Sequence, residues 1–179
     1  GMIVDWLKSY YNNQNISGFN AALSATDSKF GVFRLNNHLL DKDDYDLIFV
    51  EFAVNDGDGS SSNTEKSMEG IVRKIWQKNP NTDICFVYTL KSSFLTDINA
   101  GKMNQSTSKM DSIASYYKIP SICWGVECAK MLASDTVVFY ATKYNYLTSK
   151  NSSGQWVFTQ DNTHPSTFGH SVYTNVLSK

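Results

Sequence analysis

Apolar residues at Ile3, Val4, Trp6, Leu7, Tyr10 and Tyr11 recur at spacings of three and four, which predicts that the chain opens on an amphipathic helix. A short strand is expected from Asn15 to Ala21. The cap-type run Ala25-Thr26-Asp27-Ser28 then predicts a helix to about Leu40. Tyr45 to Val54 is almost continuously apolar, as a strand buried on both faces of a parallel sheet should be. Asn55-Asp56-Gly57-Asp58-Gly59 and the serines after it predict a loop. From Thr64 to Lys78, Met68, Ile71, Val72, Ile75 and Trp76 fall at helical spacing, and Asn79-Pro80-Asn81 ends the run.

The next strand is expected at Ile84 to Leu90, followed by a polar stretch from Lys91 to Gly101 and a helix from about Asn104 to Tyr117. Ile119 to Cys123 reads as a short parallel-type strand and Trp124 to Ala133 as a helix. Strand and helix alternate, with connections long enough to hold crossover helices, so the expected class is α/β with a mainly parallel sheet covered on both faces. Aromatic and β-branched residues from 137 to 159, around Asn151-Ser152-Ser153-Gly154, predict a hairpin-like excursion near the sheet edge. That segment reads as an insertion, so residues 1–179 are expected to form a single domain. Pro165 suits the first position of a closing helix that runs to about Leu177.

Composition narrows the function classes. With 179 residues, 41% of them hydrophobic and 13% aromatic, the chain can bury a core without disulfides or structural metals. A net charge of −1 supplies no basic excess for phosphate backbones, so nucleic acid is not an expected partner. Apolar runs such as Leu47-Ile48-Phe49-Val50 stop far short of the roughly 18 to 20 residues of a membrane span. Cys85, Cys123 and Cys128 are odd in number and lack a CxxC pair, which favours buried thiols over disulfides or zinc. Gly1 ahead of Met2 reads as a residue left by tag removal.

Open parallel sheets bind ligands beyond the carboxyl ends of their strands. Three segments fall there: Ala22-Leu23-Ser24-Ala25-Thr26, Val54-Asn55-Asp56, and Asp161-Asn162-Thr163-His164-Pro165. They resemble blocks II, III and V of the SGNH (GDSL-type) ester hydrolases, and the resemblance extends over nearly the whole chain. It implies a flavodoxin-like three-layer α/β/α sandwich and a carboxylic ester hydrolase without cofactor or metal, acting on acyl esters of carbohydrates or other small molecules. It also implies roles: Asp161 and His164 as the catalytic pair, Asn55 as an oxyanion donor, and the backbone N–H of Ala25 as a second donor where the family carries glycine. Block I, the Gly-Asp-Ser segment that ends the family's first strand and carries the nucleophilic serine, has no match in Gly1 to Tyr11. Ser24 and Ser28 are the substitute nucleophiles to consider, against turn and N-cap duty for each. A catalytically inactive binding or scaffolding relative is the competing reading, and a gene start lying upstream of Met2 is a third.

The remaining polar residues carry structural expectations. Glu51, inside an apolar strand, is expected to pair with Arg34. Glu51, Asp56 and Asp58 lack the His or Cys company that would make a metal site, and His38 and His170 read as surface or core residues. Trp156, Tyr144, Tyr146 and Phe158 suit either a platform for a sugar ring or a cover for the sheet edge. In the family the missing strand lies between those matching Ile16 to Ala21 and Tyr45 to Val54. The gap is therefore expected to close by direct pairing of these two, or by a strand from a second copy in a homodimer.

Overall fold

The computed structural model describes residues 1–57 and 63–177. In chain order the elements are α1 (Met2–Tyr10), α2 (Ser28–Leu35) continued by a π-helical turn (Asn36–Leu40), β1 (Leu47–Val50), α3 (Ala53–Asp56) and α4 (Thr64–Lys78). There follow β2 (Asp83–Tyr88), a 3₁₀ turn (Ser92–Phe94) leading into α5 (Leu95–Asn99), α6 (Gln105–Tyr117), β3 (Ser121–Cys123), α7 (Trp124–Leu132), β4 (Val137–Tyr140), β5 (Trp156–Thr159) and α8 (Thr167–Leu177). The class is α/β with parallel sheets, as the alternation of patterns predicts. The chain forms two compact units, Ala21–Cys123 and Gly1–Asn20 with Trp124–Lys179.

In the unit Ala21–Cys123 the strand order is β1-β2-β3, all parallel, with Val50 opposite Phe86 and Tyr88 opposite Cys123. Ile84, Phe86 and Tyr88 of β2 are buried, and so are the alternate residues Cys85 and Val87, as befits a central strand. Met68, Ile71, Val72 and Ile75 put the apolar stripe of α4 into the same core, joined by Met110 and Ala114 of α6. Gly31 lets α2 lie close to Phe52, because a Cβ there would sit 2.5 Å from the tip of that ring.

In the other unit β4 and β5 pair in parallel, with Val137 opposite Trp156 and Tyr140 opposite Thr159. α8 packs on β5, and α1 and α7 pack on α8. Trp124 stacks on Tyr173 with ring centroids 4.4 Å apart, and fully buried Phe158 meets Phe139 and Tyr173. No residue of α1 is fully buried, although Ile3, Val4, Trp6 and Leu7 are partly so.

Several expectations give way. Residues 15–21 form no strand: Asn15, Ser17 and Asn20 are polar, Phe19 is 60% exposed, and nothing buries the segment as a strand requires. Among the described residues β1 is accordingly an edge of its sheet, paired there with β2 alone, and the expected direct pairing across the gap is not seen. The segment 137–159 is not a hairpin, because its two strands run parallel. The turn signal at Asn151 to Gly154 does make a local turn, with Gly154 N–H donating to the Asn151 carbonyl at 3.0 Å. Val54-Asn55-Asp56 lies in the short helix α3, and the polar stretch from Lys91 to Gly101 holds the 3₁₀ turn and α5. The closing helix starts after Pro165: Ser166 caps it, its Oγ accepting from Gly169 N–H at 3.1 Å and donating to the Val157 carbonyl at 2.6 Å.

Candidate active site

Just past β5, Asp161 builds a turn from its own side chain. Oδ1 accepts the backbone N–H groups of Thr163 (3.1 Å) and His164 (2.8 Å), while Asn162 takes a left-handed φ of 71°, which asparagine tolerates. Oδ2 of the same carboxylate lies 2.8 Å from Nδ1 of His164. An ionised carboxylate can only accept, so Nδ1 carries the proton and Nε2 of the neutral ring is left as the basic nitrogen. The two N–H donors and the imidazole hold the Asp161 carboxyl below its ordinary range, the His164 N–H contributing most. Both side chains are exposed, at 55% and 69%.

Within the unit Ala21–Cys123, Asn55 and the loop before α2 come together. Asn55 Nδ2 donates to the Thr26 carbonyl at 3.0 Å, which leaves the second amide hydrogen of this exposed side chain for another acceptor. Ala25, next to Thr26, has φ 57°, in the left-handed region that glycine occupies most easily. Alanine thus holds here the backbone shape that a glycine would take without strain. Asp27 caps α2 by accepting Phe30 N–H at 2.8 Å, and Ser28 sends both its N–H and its Oγ to Asp56, each at 2.7 Å. Ser28 is buried with its hydroxyl proton committed, which argues against a nucleophilic role. Ser24 is an exposed turn residue.

The expected Glu51–Arg34 pair does not form. Arg34 instead donates from Nε to His38 Nδ1 at 3.0 Å and from a terminal nitrogen to the Ala21 carbonyl at 2.6 Å, tying down the loop ahead of α2. Glu51 Oε1 accepts Thr89 Oγ1–H at 2.7 Å and Ala53 N–H at 2.9 Å, so it secures the start of the turn that carries Asn55. Burial pushes the Glu51 carboxyl above its ordinary range, partly offset by these bonds. Thr89 gave no sign of this role in the sequence, because 38 residues separate it from Glu51 and only β1–β2 pairing brings them together. Asp56 is held by Ser28, His170 sits exposed on α8, and Asp58 lies outside the described residues. Among the described residues no three His, Cys, Asp or Glu side chains gather as a metal ligand set, and no helix is long and apolar enough to cross a membrane.

Of the aromatic residues of the late segment, Tyr144, Tyr146, Trp156 and Phe158 separate into two groups. Phe158 is fully buried, and Trp156 stacks on Phe168 at 4.8 Å with the Lys150 ammonium 4.4 Å from its ring centroid, so both serve packing. Tyr144 and Tyr146 pair with each other, centroids 4.6 Å apart and rings tilted by 49°.

With this geometry in view, the likeness to known structures is informative. The chain superposes on a two-domain esterase active on acetylated mannans with a TM-score of 0.74 and 23% identity, over 98% of this chain and 40% of that one. A possible lipase from Chitinophaga pinensis matches with a TM-score of 0.64 and 15% identity, over 96% of this chain and 84% of that one. A lipase/acylhydrolase from Enterococcus faecalis matches with a TM-score of 0.56 and 15% identity, over 98% and 82%. The chain therefore has the α/β fold of the SGNH, or GDSL-type, ester hydrolases. No family model matches the sequence, and no curated protein matches it. The chain spans 40% of the length of the two-domain esterase.

Proposed function

We propose that these residues carry the general base, its orienting carboxylate and the oxyanion donors of a carboxylic ester hydrolase, with carbohydrate-borne acetyl or other short acyl esters as substrates. The observation that carries this reading is the 2.8 Å contact between Asp161 Oδ2 and His164 Nδ1 on a turn that opens the last helix of this fold. In the reaction, His164 Nε2 takes the proton of a serine hydroxyl as its oxygen bonds to the acyl carbon, and Asp161 stabilises the imidazolium that forms. The tetrahedral oxyanion accepts hydrogen bonds from Asn55 Nδ2–H and Ala25 N–H. Collapse breaks the ester C–O bond, the leaving alkoxide receives the proton from His164, and water repeats the sequence on the acyl-serine. The two-domain esterase active on acetylated mannans supports the choice of carbohydrate esters.

Ser28 is committed to Asp56 and Ser24 sits in an exposed turn, so neither is the nucleophile this reading favours. The test is hydrolysis of p-nitrophenyl acetate and acetylated manno-oligosaccharides by Gly1–Lys179 and by the polypeptide read upstream of Met2. The expected result is trace turnover by the first and saturable turnover by the second, with His164→Ala reducing it to background and Asn55→Ala lowering kcat by about 10²–10³-fold. Turnover indifferent to His164→Ala would sink the reading. Turnover by Gly1–Lys179 with phosphonate labelling of Ser24 or Ser28 would return the nucleophile to these residues.

A further inference from the structure

We propose that Tyr144 and Tyr146 form an open platform that stacks on a pyranose ring, making them the specificity residues for the alcohol portion of the ester; this rests on the hydrolase reading of the Asp161–His164 dyad.

The placement follows from the pairing of β4 with β5. Tyr140 lies opposite Thr159 near the carboxyl ends of two parallel strands, so the chain leaving β4 and the chain leaving β5 emerge side by side. Tyr144 follows four residues after Tyr140, and Asp161 two residues after Thr159, at the same end of the same pair of strands. Desolvation raises the Tyr144 phenol, with smaller contributions from Tyr146 and the Asp161 carboxylate.

The platform is also held still. Asn145, between the two tyrosines, sends its N–H to the Lys150 carbonyl at 2.8 Å, and its Oδ1 accepts Leu147 N–H at 2.9 Å and Thr148 N–H at 3.4 Å. The turn is thus closed by its own backbone and the rings brace each other. Rings fixed before binding forfeit little conformational entropy when a ligand stacks on them.

Exposure then selects the ligand. Tyr146 is 71% exposed, whereas Phe158 is fully buried and Trp156 stacks on Phe168. A long acyl chain demands a closed apolar channel, which an open pair of rings does not provide. A pyranose presents an apolar C–H face to one side and hydroxyls at its rim. That matches a tyrosine ring, with its electron-rich face and phenolic hydroxyl.

Binding is measured without hydrolysis, by calorimetric and NMR titration of Gly1–Lys179 with mannopentaose, xylopentaose and cellopentaose. At least one is expected to bind, with chemical-shift changes centred on residues 144–148. Tyr146→Ala is expected to weaken binding at least about tenfold, Tyr146→Phe much less, and Tyr116→Ala, an equally exposed tyrosine on α6, not at all. Failure of all three sugars to bind, or binding indifferent to Tyr146→Ala, overturns the platform. The two proposals fail separately. Sugar binding lost in Tyr146→Ala, with no ester hydrolysed by any form, removes the hydrolase and keeps the platform. Hydrolysis that depends on His164, with KM for an acetylated oligosaccharide unchanged in Tyr146→Ala, does the reverse.

Discussion

Two carboxylates, one in each compact unit, respond to pH with opposite sign. Asp161 has its pKa lowered from the ordinary 3.8 by two backbone N–H groups and the His164 ring. Its contribution to stability is fully present above that ordinary value and is lost as pH falls through the lower, folded one. Glu51 has its pKa raised from the ordinary 4.5 by burial, so its contribution is present below that value and is lost as pH rises through the higher, folded one. Thermal melts from about pH 2 to about pH 8 should therefore separate two variants. Asp161→Asn should approach wild-type stability at the acid end and fall behind above it, whereas Glu51→Gln should gain on wild type as pH rises. Parallel melting curves for Glu51→Gln and wild type would show that this carboxyl ionises freely. Asp161 was legible in the sequence because its partner is three residues away. The environment of Glu51 was not, since its polar neighbours arrive through strand pairing and the turn into α3, and Arg34 is drawn off by His38 and the Ala21 carbonyl.

At the level of elements, one buried hydroxyl helps fix the start of α8. Ser166 Oγ joins the first turn of the helix to the last strand, accepting from Gly169 and donating to Val157 while buried. Ser166→Ala should cost about 2 kcal/mol, read as a fall in the denaturant midpoint with unchanged slope, because the cap is lost and a buried carbonyl loses its partner. A midpoint within error of wild type would show that water takes over both bonds. The sequence located α4 to the residue, since its apolar stripe, its start and its Pro80 stop all agree. It misread residues 15–21 and the segment 137–159 for one shared reason. Strand identity is decided by what lies alongside, and neither the lack of a partner for the first nor the parallel pairing of β4 with β5 is encoded locally.

Over the whole molecule, the three cysteines form no disulfide, and Cys85 and Cys128 are buried, the latter with its pKa pushed up to about 12 by desolvation. A thiol reagent at mildly alkaline pH should therefore label no more than half-buried Cys123 in the native protein and all three in concentrated guanidinium. Rapid native labelling of all three would mean that both interiors open readily. The fold itself was legible through three short segments, although nothing in the overall sequence matches a family model. The loop ahead of α2 was less so, because its shape rests on Ala25 adopting a backbone angle that the residue type does not announce. The Asp161 turn has a different consequence, one for inheritance. Oδ1 secures local backbone while Oδ2 secures the imidazole, so on the proposed hydrolase reading a descendant without activity would still be under selection to keep the aspartate for folding. In such a lineage His164 would be the residue released to drift. A survey of relatives should therefore read histidine loss beside a retained aspartate as the mark of a retired enzyme, and should give the aspartate alone no weight as a sign of activity.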